Sequence, residues 1–125
     1  MTRSLEAIKP QLDRIIERIV QEYRPLKIIL FGSYAHGQPH EGSDVDLLVI
    51  KEDVPPARWQ RYVEVCRCIR GLRRGLSIEA HVVTPQELSE GLRLINPFYR
   101  EITEQGVVLY DTTTDRRIGT MAMAS

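Results

Sequence analysis

Apolar residues recur at two different spacings along the chain, and these spacings predict alternating helices and strands. Over residues 5–23 every third or fourth residue is apolar, which is typical of an amphipathic helix. Short β-branched apolar runs at 26–31, 45–50 and 76–83 predict buried strands. The same criteria predict a short helix directly after residues 32–33, helices at 57–74, 85–92 and 97–104, and a last strand at 107–110.

Prolines and capping residues sharpen the helix ends. Pro10 falls inside the first helical pattern and suits the first turn of a helix, so we expect the firm helix to begin near residue 10. Thr84, Pro85 and Glu87 have the spacing of a capping box with proline in the first turn. The second long helix has an apolar stripe that we expect to face the core, formed by Trp59, Tyr62, Val63, Cys66, Ile69 and Leu72.

The order of these elements predicts the α/β (α+β) fold class, with a small mixed β-sheet packed with helices. A chain of 125 residues suits one domain, which we place at residues 1–111. Residues 112–125 show no periodicity and are predicted to be a flexible C-terminal tail. The segment lengths leave the order of the strands in the sheet open.

Composition and charge argue against several classes of protein. The chain is 42% apolar and 27% charged, which predicts a folded, soluble protein. No apolar run approaches about 20 residues, and the N-terminus has no apolar signal region. We therefore expect no membrane span and a cytoplasmic location. The net charge is zero, from 17 basic and 17 acidic residues, so direct nucleic-acid binding is not expected.

Charge is nevertheless concentrated in the second long helix. Glu64 is the one acidic residue among six arginines, which are Arg58, Arg61, Arg67, Arg70, Arg73 and Arg74. A solvated helix face is the simplest interpretation, and contact with an acidic partner or with RNA is the alternative. Cys66 and Cys68 in the same segment are predicted to be reduced and to act as small apolar side chains.

Candidate chemistry lies in a glycine-serine turn, Gly32-Ser33, and in the pair Asp44 and Asp46. Side chains alternate along a strand, so the two aspartates point to the same face. Two adjacent carboxylates repel each other and favour a cation between them. Ligands made of oxygen alone suit Mg²⁺, with Mn²⁺ as a second choice. The turn offers N–H groups and a hydroxyl to phosphate oxygens.

Glu79 adds a third carboxylate if the strand at 76–83 lies beside the strand at 45–50. With Asp44 and Asp46, it could then hold a pair of Mg²⁺ ions about 3.5–4 Å apart. One ion would clamp a nucleoside triphosphate, and the other would lower the pKa of an attacking hydroxyl, with Glu79 as the candidate base. Attack on the α-phosphorus would expel pyrophosphate. The pattern therefore predicts metal-assisted nucleotidyl transfer.

The polymerase-beta-like nucleotidyltransferase superfamily has a signature that two stretches resemble, GSYAHG at 32–37 and SDVDL at 43–47. The small MNT branch, the minimal nucleotidyltransferases, is the best match, and the resemblance runs from about residue 12 to residue 111. It implies the polymerase-beta-like nucleotidyltransferase fold. It also implies phosphate binding by Gly32 and Ser33.

The same resemblance implies catalytic metal ligands. Asp44 and Asp46 match the family's metal ligands, and Glu79 stands where the family has its third carboxylate, commonly an aspartate. His36 stands where the family often has an arginine. These are the two positions at which the chain departs from the pattern of the family.

A partner is implied as well. MNT proteins are commonly encoded beside HEPN-domain proteins, and some are antitoxins that transfer AMP to the HEPN protein. We therefore expect ATP as the nucleoside triphosphate, a hydroxyl acceptor and a HEPN-domain partner, and leave a homo-oligomer open. One alternative is a catalytically weak or inactive antitoxin that neutralises a HEPN partner by occlusion, which the departures at His36 and Glu79 motivate. Another is a stand-alone enzyme for a small hydroxylated molecule.

Overall fold

Helices and strands alternate as the sequence pattern predicts. A computed structural model describes residues 4–40 and 42–113. The predicted tail from residue 114 onwards lies outside the described residues. The elements are α1 (Leu5–Tyr23), β1 (Lys27–Phe31), β2 (Val45–Ile50), α2 (Arg58–Cys68), β3 (Ile78–Val83), α3 (Pro85–Arg93), α4 (Pro97–Gln105) and β4 (Val107–Asp111).

The four strands form one mixed sheet in the order β3-β2-β1-β4. β2 and β3 are parallel neighbours, whereas β1 pairs antiparallel with both β2 and β4. α2 is the crossover that a parallel β2–β3 pair requires. The predicted mixed α/β class is confirmed. The structure also gives the order of the strands, which the sequence left open.

Two apolar layers cover the two faces of the sheet. The larger core packs α1 and α2 against alternate strand residues such as Ile28, Val45 and Ile78. The smaller cluster packs α4 against the opposite face and consists of Ile29, Leu48, Ile50, Val83, Tyr99 and Ile102. Because Asp46 alternates with Val45 along β2, its side chain lies on the side of this smaller cluster.

The start of α1 differs from the expectation. The helix begins at Leu5, where the Ser4 hydroxyl accepts a hydrogen bond from the Ala7 N–H at 3.2 Å, and it continues through Pro10. The amphipathic pattern over residues 5–23 is thus confirmed, and the later start near residue 10 is wrong. Ile8 and Leu12, on either side of the proline, are both buried in the larger core. Their burial outweighs the one helical hydrogen bond that proline lacks.

The expected short helix after the glycine-serine turn is also absent from the described structure. Residues 33–37 form turns, in which the Gly32 carbonyl accepts hydrogen bonds from the N–H groups of Ala35 and His36. One helical turn forms and is not propagated. The capping box at the start of α3 is confirmed, with Thr84 and Glu87 each accepting from the other's N–H at 3.0 Å.

α2 is shorter than expected, and only part of the predicted apolar stripe packs against the larger core, namely Tyr62, Ile69 and Leu72. It ends at Cys68, not near residue 74, and its buried residues are Arg61 and Val65. Trp59, predicted to lie in the core, is 68% exposed. Arg61, predicted to lie on a solvated face, is 3% exposed. The sequence pattern was misleading because a buried arginine replaces an apolar residue at this position of the helix.

Two further features are the state of the cysteines and the hydropathy of the helices. Cys66 and Cys68 are free thiols, as expected. Within the part of the chain that the structure describes, no helix is both long enough and apolar enough to cross a membrane.

Candidate active site

Three neighbouring strands place a row of side chains at one end of the sheet. Phe31 on β1 pairs with Asp46 on β2, and Asp46 pairs with Glu79 on β3. Neighbouring strands lie about 4.8 Å apart, so paired residues on one face are adjacent. Asp44 directly precedes β2. The condition under which Glu79 joins Asp44 and Asp46, that β2 and β3 are neighbours, is therefore met, and the acidic residues of both strands lie at one end of the sheet.

The acidic residues interact electrostatically. Burial raises the pKa of Asp46 above its ordinary value, and the negative charges of Asp44 and Glu79 raise it further. His81, two residues beyond Glu79 on the same face, lowers the pKa of Asp46. Asp46 is half-buried, whereas Glu79 is exposed. The set therefore holds mutually repelling carboxylates at a surface that solutes can reach.

The donor chemistry of this set fits a hard divalent cation. Asp44, Asp46 and Glu79 offer only carboxylate oxygens, which suit Mg²⁺ or Mn²⁺. In residues 4–40 and 42–113, no group of three His, Cys, Asp or Glu side chains is already drawn together tightly enough to hold an ion. Repulsion between like charges opposes such closure unless a cation is bound. The described residues therefore fit the expected cation in the type of their donor atoms, and they are not drawn together into a three-ligand site.

Gly32 is required by its contact with Asp46. Its φ is +81°, in the left-handed region that favours glycine. A Cβ atom built on Gly32 would overlap the Asp46 carboxylate. The backbone of the glycine-serine turn therefore lies directly against a carboxylate of the acidic row, which is the set of Asp44, Asp46 and Glu79. Only glycine permits this approach.

Ser33 and Ser43 connect the turn to the aspartate segment. The Ser33 hydroxyl donates to the Ser43 hydroxyl at 3.1 Å, and Ser43 also accepts from the His40 N–H at 2.7 Å. Among residues 4–40 and 42–113, the N–H groups of Ser33 and Tyr34 have no hydrogen-bond acceptor. Such N–H groups at the start of a helical turn can bind phosphate oxygens. Sequence reasoning did not identify Ser43, because its role depends on a contact across the loop.

His36 is directed toward α4. Its Nε2 atom lies 3.6 Å from the Glu101 carboxylate, and the imidazole is largely exposed. A protonated His36 would therefore form an ion pair with Glu101. The position at which the family often has an arginine is occupied here by a side chain that already contacts a carboxylate.

Three aromatic rings lie beside the acidic row, and sequence reasoning did not identify them as a group. The ring centroids of Phe31, His81 and Phe98 are 5.5–5.7 Å apart. Alternation along β1 and β3 could have placed Phe31 and His81 on the carboxylate face. Phe98 comes from α4, and no local signal relates it to the other two residues.

Comparison with known proteins places this site in a wider group. Residues 12–110 match the family model described as a nucleotidyltransferase domain. A protein of Methanocaldococcus jannaschii named protein adenylyltransferase MJ1305 is 36% identical over 104 residues, which cover 80% of this chain and 69% of that protein. A second protein of this organism, named protein adenylyltransferase MJ0604, is 38% identical over 67% of this chain and 77% of its own length.

Two solved structures superpose on this chain to different extents. A crystal structure named as a nucleotidyltransferase from Sulfolobus solfataricus superposes with a TM-score of 0.57 and 20% identity, covering 84% of this chain and 81% of that one. A crystal structure of the toxin–antitoxin pair MntA–HpeT superposes more weakly, with a TM-score of 0.49 and 24% identity over 89% of this chain and 80% of that one. The family match and the superposition on the Sulfolobus solfataricus structure confirm the expected fold.

Proposed function

The chain belongs to the nucleotidyltransferase domain family, and from this premise we propose that it transfers AMP from ATP to a hydroxyl group of a protein. The observation that carries the proposal is the acidic row at the edge of the sheet. Asp46 pairs with Glu79 across β2 and β3, and the backbone of Gly32 lies against the Asp46 carboxylate. This arrangement brings a phosphate-binding turn and a set of metal-ligating oxygens into direct contact.

Each residue has a separate task in this reaction. The N–H groups of Ser33 and Tyr34 bind phosphate oxygens, and the Ser33 hydroxyl can turn from Ser43 to a phosphate. The acceptor oxygen forms a bond to the α-phosphorus, and the bond from that phosphorus to the bridging oxygen breaks. Pyrophosphate leaves with the electron pair. The hydroxyl proton passes to Glu79, which is exposed.

Asp44, Asp46 and Glu79 are the residues that would hold Mg²⁺, or Mn²⁺ in its place, as a two-ion set. When bound, these cations neutralise charge on the triphosphate and lower the pKa of the attacking hydroxyl. By holding these cations, the three carboxylates would also fix the position of the nucleotide relative to the acceptor, which supplies much of the catalysis in this class of reaction.

A protein is the proposed acceptor. The relatives from Methanocaldococcus jannaschii carry the name protein adenylyltransferase, which supports both AMP as the transferred group and a protein as its destination. The resemblance to the MNT branch suggests that the acceptor is a HEPN-domain protein and that this chain is its antitoxin. An occluding antitoxin without catalysis is the competing outcome of the experiment below.

Label transfer tests the proposal. Purified protein, Mg²⁺ and ATP labelled at the α-phosphate are mixed with a lysate of the native cells, and proteins are resolved by size. We expect a labelled band that is lost with Asp46→Asn. Asp53→Asn is the matched control, because Asp53 is an exposed aspartate on the β2–α2 loop at the other end of β2. Equal labelling with Asp46→Asn would overturn the assignment of the site. A partner that co-purifies without ever being labelled would favour occlusion.

A further inference from the structure

Phe98 is a large aromatic side chain that the core does not use. It is 41% exposed, and it is absent from both apolar clusters, although its neighbours Tyr99 and Ile102 on α4 belong to the smaller one. Its ring instead contacts Phe31 at 5.5 Å and His81 at 5.6 Å between centroids. An apolar ring kept at the surface beside two other rings indicates a binding role more than a packing role.

The three rings adjoin the acidic row and the phosphate-binding turn. Phe31 pairs with Asp46 across β1 and β2, and Phe31 is also the residue that directly precedes Gly32. His81 follows Glu79 by two residues on β3, so both side chains point to the same face. The rings therefore line the site on the side from which the turn emerges.

The faces of the rings are not stacked on one another. The Phe31–Phe98 planes meet at 89°, and the His81–Phe98 planes meet at 65°. Tyr99, the other ring near Phe98, is also tilted by 65°. None of the four described ring pairs is a parallel stack, so the flat face of Phe98 has no parallel aromatic partner in residues 4–40 and 42–113.

We propose that Phe98, supported by Phe31 and His81, is the platform on which the nucleobase of the nucleoside triphosphate stacks. The proposal rests on the proposed function, since it names a binding role for residues beside the same site. Because Phe31 directly precedes Gly32, a nucleotide held through its phosphates at Gly32 and Ser33 has the aromatic rings within reach of its nucleoside. A planar, uncharged ring system is the part of that nucleotide which matches an apolar aromatic surface.

Stacking on such a platform depends little on the identity of the base, because every base has a π-face. The platform therefore contributes affinity for a nucleoside triphosphate without selecting adenine by hydrogen bonding. We expect Phe98→Ala to weaken binding of ATP and GTP by a similar factor, about tenfold in each case.

Equilibrium binding to two ligands tests the platform. The ligands are ATP with Mg²⁺ and inorganic triphosphate with Mg²⁺, which shares the phosphates and lacks the base. We expect Phe98→Ala and Phe98→Leu to weaken ATP binding about tenfold and to leave triphosphate binding unchanged. Phe98→Trp should retain ATP binding, because it keeps an aromatic face. Trp59→Leu is the matched control, since Trp59 is an exposed aromatic residue on α2, which packs against the opposite face of the sheet.

Each other outcome overturns the platform in a recognisable way. Equal loss of ATP and triphosphate binding in Phe98→Ala would show that the ring only supports the fold of the site. Unchanged ATP binding with reduced label transfer would assign the ring to the acceptor instead of the nucleobase. Wild-type protein that binds neither ATP nor triphosphate would contradict the proposed function itself. Wild-type protein that binds ATP no more tightly than triphosphate would contradict only the platform.

Discussion

Two groups of charged residues lie near opposite ends of β3, and they differ in how their charge is balanced. At the start of the strand, Glu79 faces Asp46, and the nearby carboxylates repel one another. Beyond its end, the buried guanidinium of Arg61 meets Glu87 of α3. The first group has excess charge of one sign at a half-exposed surface. The second is a paired charge inside the protein.

Arg61 has protein partners for each of its three side-chain nitrogens. Nε donates to the Pro55 carbonyl at 2.6 Å, and Nη1 donates to the Val82 carbonyl at 3.0 Å. Both terminal nitrogens donate to the Glu87 carboxylate, at 2.7 and 3.1 Å, and Nη2 also reaches the Pro56 carbonyl at 3.3 Å. A buried charge is tolerated when its hydrogen bonds are satisfied in this manner.

The contrast separates structural charge from functional charge. Arg61 and Glu87 tie the β2–α2 loop and the start of α3 together without any ligand. Asp46 of the acidic row instead lies among carboxylates that raise its pKa. In the proposed function, the paired charge serves the fold and the unpaired carboxylates serve binding.

Removing Glu87 should have the largest effect on stability. Glu87→Ala leaves the Arg61 guanidinium buried without its anionic partner, and we expect a loss of about 3–5 kcal/mol in the free energy of unfolding. Urea denaturation followed by circular dichroism measures it. Glu90→Ala, three residues further along α3, removes an exposed ion pair with Arg93 and should cost at most about 1 kcal/mol. Equal losses for the two variants would contradict the structural role of Arg61.

The stability that the Arg61–Glu87 pair contributes also depends on pH. The hydrogen bond from Arg61 lowers the pKa of Glu87 to about 2, against an ordinary value of 4.5. Because the folded state binds this proton more weakly than the unfolded state, the stabilisation is complete above about pH 5 and is lost as the pH falls toward 2. We expect Glu87→Gln to show a weaker loss of stability over that range. Parallel pH curves for the two proteins would be inconsistent with the pairing.

Replacing Gly32, which lies against the acidic row, should have the second largest effect, and this effect is on label transfer. Gly32→Ala places a Cβ against the Asp46 carboxylate and also strains a left-handed residue, so we expect label transfer to fall by about 10²-fold or more. Gly37→Ala is the matched control, because Gly37 has a φ of +71° but nothing within 4 Å of an added Cβ. It should cost about 1 kcal/mol of stability and leave transfer nearly unchanged. Similar loss of transfer in both variants would attribute the effect to backbone strain alone.

Sequence reasoning was more successful at the acidic row than at the buried pair. Asp44 and Asp46 follow from alternation along one strand, and Gly32 from a turn next to it, so these relations are local. The pairing of Asp46 with Glu79 required a strand order that no local pattern determines. The strand register shows the pairing of Asp46 with Glu79, and the roles assigned to these residues remain predictions.

Arg61 and Phe98 show why sequence reasoning missed the buried ion pair and the group of aromatic rings. An arginine in a helix is expected at the surface, and its burial here becomes favourable only through the Glu87 carboxylate and the backbone carbonyls of Pro55 and Val82. That error placed Trp59 in the core and misjudged the buried face of α2. Phe98 reads as an ordinary apolar helix residue, since its neighbours Phe31 and His81 are distant in sequence.

Thermal unfolding with and without Mg²⁺, for the wild type and Asp46→Asn, tests the central claim most directly. Without Mg²⁺, Asp46→Asn should be at least as stable as the wild type, because it removes one repelling charge. At about 100 times the dissociation constant, Mg²⁺ should stabilise the wild type by about 2.7 kcal/mol and the variant by much less, so the order reverses. If Mg²⁺ leaves the order and the spacing of the two transitions unchanged, the acidic row is not a metal site and the account is wrong.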